Sequence, residues 1–188
     1  VDSIIPNLRK YLPQRTKRLQ LMETIIFNKP SKVSNTLNWH QDVAYFPVEP
    51  NNQIAIWIPF EEVNFKRGAM NYALGSHKLG IKASTNLHTR EKFENDNREV
   101  IPDDPRKSGF EVVCMEMQNT DMIVHDGYVW HYSGPNLEEN YTRKGLSVRF
   151  FTEEARYFPR PGQGAAFTQQ IKIEHGEIVQ GKPFPLMK

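Results

Sequence analysis

At 188 residues the chain is long enough for one domain with a substantial core, and a formal net charge of +2 gives no reason to expect nucleic acid or an anionic membrane as partner. Hydrophobic residues at 38% and aromatics at 11% argue against disorder, and no apolar run approaches the length that spans a bilayer. One cysteine, Cys114, excludes an internal disulfide framework and fits a reducing compartment, so an intracellular, cytoplasmic location is expected. The sequence opens at Val1 in what reads as mid-domain, and we take residues 1–188 as a single domain lacking its amino-terminal portion.

Residues 6–20, punctuated by Pro6 and Pro13 among basic side chains, read as a short helix or loop leading in. Thr24-Ile25-Ile26-Phe27 is a β-branched and aromatic run stopped by Asn28-Lys29-Pro30-Ser31, a strand followed by a turn. A second strand is expected over Gln53–Phe60, with Pro59 near its end, where a missing N–H matters least. Further strands are expected at Ala69–Leu74, Phe110–Met117, Asp121–His125 and Leu146–Thr152. The polar stretch from Lys78 to Ser108 reads as a long excursion between two strands, of the kind that forms functional lids. Beyond Phe158, Pro159, Pro161, Gly162 and Gly164 give the tail the composition of a surface connection. Helical periodicity is weak, and many short strands between Gly, Pro and Asn turns point to an antiparallel sandwich or barrel.

The chemistry concentrates in His40-Gln41-Asp42 and in His131, which lies within Trp130-His131-Tyr132-Ser133-Gly134-Pro135-Asn136. In an extended segment, residues two apart project from one face, so His40 and Asp42 point together. His131, expected to follow a strand where a turn begins, is the best third partner. Two imidazoles and one carboxylate form the ligand set that holds non-heme Fe(II) on one face and leaves open positions for oxygen and a cosubstrate. Alone, a His-x-Asp is common, and a histidine bonded to a neighbour beside an aspartate capping a turn is its more frequent explanation.

Three ordered segments resemble the phytanoyl-CoA dioxygenase family of iron- and 2-oxoglutarate-dependent oxygenases. They are Trp39-His40-Gln41-Asp42 with Tyr45-Phe46-Pro47 and Trp57; Gly68-Ala69-Met70 running into Gly75-Ser76-His77-Lys78; and His131-Tyr132-Ser133-Gly134-Pro135-Asn136 followed by Arg143-Lys144. The resemblance implies a mainly β fold, a double-stranded β-helix (a cupin-like jelly roll) with flanking helices. It also implies His40, Asp42 and His131 as ligands of Fe(II), and Arg143, Ser133 and Trp57 as the residues that hold 2-oxoglutarate. The expected reaction is hydroxylation of a C–H bond of a small-molecule substrate by O2, with release of succinate and CO2. A guanidinium suits the far end of a dicarboxylate, because it is a permanent cation with two parallel donors.

Rivals exist for several of these roles. Arg149, in alternation with Ser147, can share a face with Arg143 and is the stronger alternative anchor; Lys144 is the weaker one. His125, next to Asp126, competes with His131; His77 is expected to be structural, and His88 and His175 solvated. Tyr45, Phe46 and the 78–108 excursion are expected to touch substrate. Zinc is the rival metal, although Cys114 lies far in sequence from the cluster. Two other functions stand beside the oxygenase: a non-catalytic ligand-binding jelly roll, and a cupin-type metal-dependent hydrolase or isomerase.

Overall fold

The structure, a computed structural model, describes residues 5–8, 18–32, 36–49, 53–162 and 172–187. The Thr24–Phe27 run extends in both directions into β1, Leu19–Lys29, which stops where Pro30 offers no N–H to a ladder. It is followed by β2 (Leu37–His40), β3 (Val48–Glu49), β4 (Ile54–Pro59), β5 (Met70–Ala73), β6 (Val112–Met115), β7 (Ile123–Asp126) and β8 (His131–Ser133). The last strands are β9 (Arg143–Thr152), β10 (Arg156–Tyr157) and β11 (Leu186–Met187). Helical structure among the described residues is one α-helical turn, Ile5–Leu8, and four 3-10 turns.

Two antiparallel sheets form the body. One has the order β11-β1-β9-β4-β7 and the other β2-β8-β5-β6, with β10 and β3 pairing apart. This is the curled, mainly β architecture expected of a jelly roll. Alternation along β9 and β4 decides what each face carries. Ile56, Val148 and Phe150 turn outward and are buried under Leu8 and Leu19. Trp57, Ser147, Arg143 and Arg149 turn inward and line one cavity between the sheets. Trp57, Met70 and Phe27 make its apolar walls, and Tyr72 and Met117 pack in the core cluster behind them.

Three sequence expectations change. Strand β9 begins at Arg143 instead of Leu146, because β1 pairs with it as far as Lys29↔Arg143. His131 opens a strand instead of following one, since it is held between His40 of β2 and Tyr72 of β5. The tail is more than a surface connection: Val179 and Phe184 are buried against Met22, Phe46 and Phe151, and β11 pairs with β1. Residues 78–108 lie between β5 and β6, with 3-10 turns at Ser76–Leu79 and Pro105–Ser108. The excursion is internally tied. The Asp96 carboxylate accepts from the Ser84 N–H and from Arg98, and Ile101 is buried beside Trp39 and Trp130.

Candidate metal centre and anion pocket

Strand pairing sets His40 directly across from His131, with ring centroids 4.1 Å apart. Gln41 stays extended (φ −115°, ψ 137°), so Asp42, the first residue of a 3-10 turn, aims back toward both rings. His40 Nδ1 lies 2.6 Å from the Asn38 carbonyl and His131 Nδ1 lies 3.0 Å from the Val129 carbonyl. A carbonyl can only accept, so both Nδ1 atoms carry the proton and both Nε2 lone pairs are left free. Those Nε2 atoms stand 3.9 and 3.8 Å from Asp42 Oδ1. The three ligating atoms lie within 4.8 Å of one another, and all three residues are buried.

Electrostatics favour the ligating forms. Burial lowers the pKa of His40 and carries that of His131 well below the ordinary imidazole value, with the Asp42 charge opposing in both cases. Both rings are therefore neutral, as metal ligation needs. Burial alone would raise the Asp42 pKa, but Arg149 overcomes it and holds the carboxyl far below the usual range. Arg149 does this with a two-pronged grip: Nε to Oδ2 and Nη2 to Oδ1, each 3.0 Å. Its Nη1 donates to Glu23 on β1 at 2.6 Å, so one guanidinium ties the Asp42 segment to β1. Between the two ligands, the fully buried Gln41 side chain donates to Gly80 O and Tyr128 O and accepts from the Lys82 N–H. It thereby fastens the 78–108 excursion to the ligand-bearing segment.

The other end of the cavity is built around Arg143, which is 1% exposed. Its guanidinium lies 4.6 Å over the Trp57 ring, and Nη2 donates to Gly68 O at 3.2 Å and approaches Ser133 Oγ at 3.5 Å. Its Nε is buried without a partner. Burial brings the Arg143 pKa down to about 10, which still leaves it charged at neutral pH. Two glycines permit this arrangement. A Cβ on Gly145 would come 2.5 Å from the Trp57 ring, so only glycine lets the indole lie against β9. Gly68 adopts φ +71°, which aims its carbonyl at Ser133 and Arg143. A buried guanidinium with an idle N–H and no carboxylate partner among the described residues suits a carboxylate ligand.

The cavity therefore gathers His40, His131, Ser133, Trp57 and Arg143, with Asp42 behind Arg149. Arg149 shares the face with Arg143 as alternation suggested, but it is engaged by Asp42. Lys144 points the opposite way and is exposed. His125 is half-buried on the cavity wall, its ring 4.9 Å from that of His131, and outside the ligating cluster. His77, His88 and His175 are exposed. Tyr45 gives its hydroxyl to the Thr85 carbonyl at 2.6 Å and sets its ring edge near His40. Phe46 is a core residue beneath Arg149 and does not line the cavity. Sequence reasoning missed Lys29, whose buried ammonium reaches Ser133, and the cavity-lining Phe27. Extending the period-2 alternation of β1 by one step past Phe27 would have placed Lys29 on the inner face.

A family model for phytanoyl-CoA dioxygenase matches residues 3–145. Over 128 residues the chain is 30% identical to a phytanoyl-CoA dioxygenase domain-containing protein 1 homolog of Dictyostelium discoideum, covering 65% of this chain and 43% of that protein. Over 185 residues it is 26% identical to the peroxisomal phytanoyl-CoA dioxygenase of Rattus norvegicus, covering 92% and 52%. The chain thus spans about half the length of the curated relatives it matches. Among solved structures, the non-heme alpha ketoglutarate dependent carbocyclase SnoK from nogalamycin biosynthesis superposes with a TM-score of 0.71 at 20% identity, over 91% of this chain and 63% of SnoK. The epimerase SnoN, in a complex with Fe3+, alpha ketoglutarate and nogalamycin RO, also gives 0.71, at 21% identity over 98% and 70%. These two likenesses establish the shared fold. The family match over most of the sequence, carried on that fold, makes this chain a member of the phytanoyl-CoA dioxygenase family.

Proposed function

We propose that this chain is the core of an Fe(II)- and 2-oxoglutarate-dependent dioxygenase that hydroxylates a C–H bond of a small-molecule substrate. One observation carries the reading: two neutral imidazoles, with the Asp42 carboxylate beside them, stand at one end of a cavity whose other end holds a buried guanidinium with an idle Nε–H and no carboxylate partner among the described residues. In this reading His40 Nε2, His131 Nε2 and Asp42 hold the iron, and Arg143, Ser133 and Trp57 hold the far end of 2-oxoglutarate. Two imidazoles and one carboxylate occupy one face of an ion and leave positions open, which suits Fe(II) better than a closed zinc site. When bound, the iron joins O2 to the oxidative decarboxylation of 2-oxoglutarate, so that succinate, CO2 and one substrate hydroxyl result.

The protein's own residues account for the rest. Asn38 and Val129 carbonyls hold the imidazoles in the ligating tautomer. Arg149 keeps Asp42 ionised and oriented. Trp57 and Met70 wall the cavity with apolar surface that keeps water from the reacting centre. Substrate approaches past His125, which lines both the cavity and an open, mostly apolar groove between β5, β6 and β7. We assign hydroxylation as the outcome; carbocyclisation and epimerisation belong to the named neighbours. No helix among the described residues is long and apolar enough to cross a membrane.

The test is succinate formation by chain loaded anaerobically with Fe(II), then given O2, 2-oxoglutarate and a panel of candidate small molecules. Succinate should appear only with all components present, matched by hydroxylated product, and His40→Ala and Asp42→Ala should both abolish it. Turnover that persists in both variants would defeat the iron assignment.

A further inference from the structure

Lys29 closes β1 directly opposite Arg143 on β9. It is 5% exposed, and its ammonium donates to Ser133 Oγ at 2.8 Å, Ser133 O at 3.1 Å and Gly134 O at 2.5 Å. Two buried cations therefore stand side by side, and among the described residues neither is paired with a carboxylate. Two like charges out of water are costly unless an anion completes the set. The hydrogen bonds show how the anion would be received. Ser133 Oγ accepts from Lys29 and gives its own proton to Gly68 O at 3.0 Å. An ammonium is only a donor, so while Lys29 is charged the serine proton has two destinations, Gly68 O or a ligand beside Arg143.

We propose that Lys29 is a positioning residue of the cosubstrate pocket: its ammonium holds Ser133 as a hydrogen-bond donor and sets a second positive charge beside the dicarboxylate end that Arg143 receives. The proposal rests on the oxygenase reading above. Lys29 does not line the cavity and acts through Ser133, which does. Burial first, and then the Arg143 charge, bring Lys29 down to about 7; no other described titratable group acts on it. Arg143 in turn feels Tyr141. A carboxylate entering beside these cations favours the charged amine, so above about pH 7 its binding takes up a proton and weakens as pH rises.

The test is calorimetric titration of the chain, loaded anaerobically with Fe(II), with 2-oxoglutarate and with 2-oxobutyrate, which lacks the distal carboxylate. Each titration is run near pH 8 in buffers of different ionisation enthalpy. For the parent chain, 2-oxoglutarate binding should take up protons and 2-oxobutyrate binding should not. Lys29→Met should weaken 2-oxoglutarate by about tenfold or more, abolish the proton uptake and leave 2-oxobutyrate unchanged. Lys29→Arg should restore affinity and flatten its pH profile. Buffer-independent heats in the parent overturn the proposal without need of any variant, as does a Lys29→Met chain that binds 2-oxoglutarate like the parent. Failure of the parent to bind 2-oxoglutarate at any pH while retaining iron overturns the oxygenase reading as well, which separates the two outcomes.

Discussion

The two ends of the cavity handle charge in opposite ways. At the metal end the Asp42 carboxylate has a cation beside it, gripped by Arg149, which also serves Glu23. At the anion end Arg143 and Lys29 face each other with no carboxylate among the described residues to balance them. In the proposed reading the first end is a pre-organised metal site, and the second is a cation pair whose charge a dianionic cosubstrate would complete.

Substitutions at the two ends should therefore differ in kind. The largest effect belongs to Asp42→Ala. It removes a ligand and strands Arg149 with only Glu23, so metal binding should disappear and stability fall by about 3–5 kcal/mol in denaturant unfolding. Next is Arg143→Ala, which should raise the Kd for 2-oxoglutarate by on the order of 100-fold with iron affinity unchanged. Arg149→Ala should show the reverse pattern, lost iron affinity and stability first. If Arg149→Ala instead weakens only the cosubstrate, the two arginines have been assigned to the wrong ends. Gly145→Ala should cost about 1–3 kcal/mol by pushing the Trp57 ring off β9, with a secondary loss of 2-oxoglutarate affinity.

The smallest effect is on pH dependence. His40 and His131 have folded pKa values below the ordinary 6.5. The unfolded chain then binds more protons than the folded one as pH falls through that value, so the metal-free protein should lose thermal stability from about pH 6.5 downward. Iron bound to the same nitrogens should suppress that loss. A melting temperature flat from neutral pH to about pH 5 in metal-free protein contradicts the burial of these imidazoles.

The same contrast shows what the sequence could reveal. His40, Asp42 and His131 were legible because an i, i+2 pair and a His-x-Ser-Gly-Pro turn keep their spacing in any register. Arg149 and Lys29 were not, because their roles depend on cross-strand register. Arg149 sits opposite Glu23 on β1 and Ala55 on β4, and Lys29 sits opposite Arg143; no local pattern encodes those pairings. Phe46 looked like a substrate contact because it follows Tyr45 in an aromatic cluster, yet its ring lies in the core with Val179 and Phe184 of the tail. The tail misled for the complementary reason. Pro159, Pro161 and Gly162 mark a turn, but the apolar residues that follow return to the sheet. In the sequence Gln41 is only the middle of a motif; its three bonds to the excursion and to Tyr128 appear only once the chain is folded.

The most direct measurement is a crystal structure of the chain grown anaerobically with Fe(II) and 2-oxoglutarate. Iron is expected on His40 Nε2, His131 Nε2 and Asp42, with Arg149 still gripping the aspartate and the far carboxylate seated between Arg143 and Ser133. An ion held by any other side chains, or a dicarboxylate that displaces Asp42 to pair with Arg149, would contradict it.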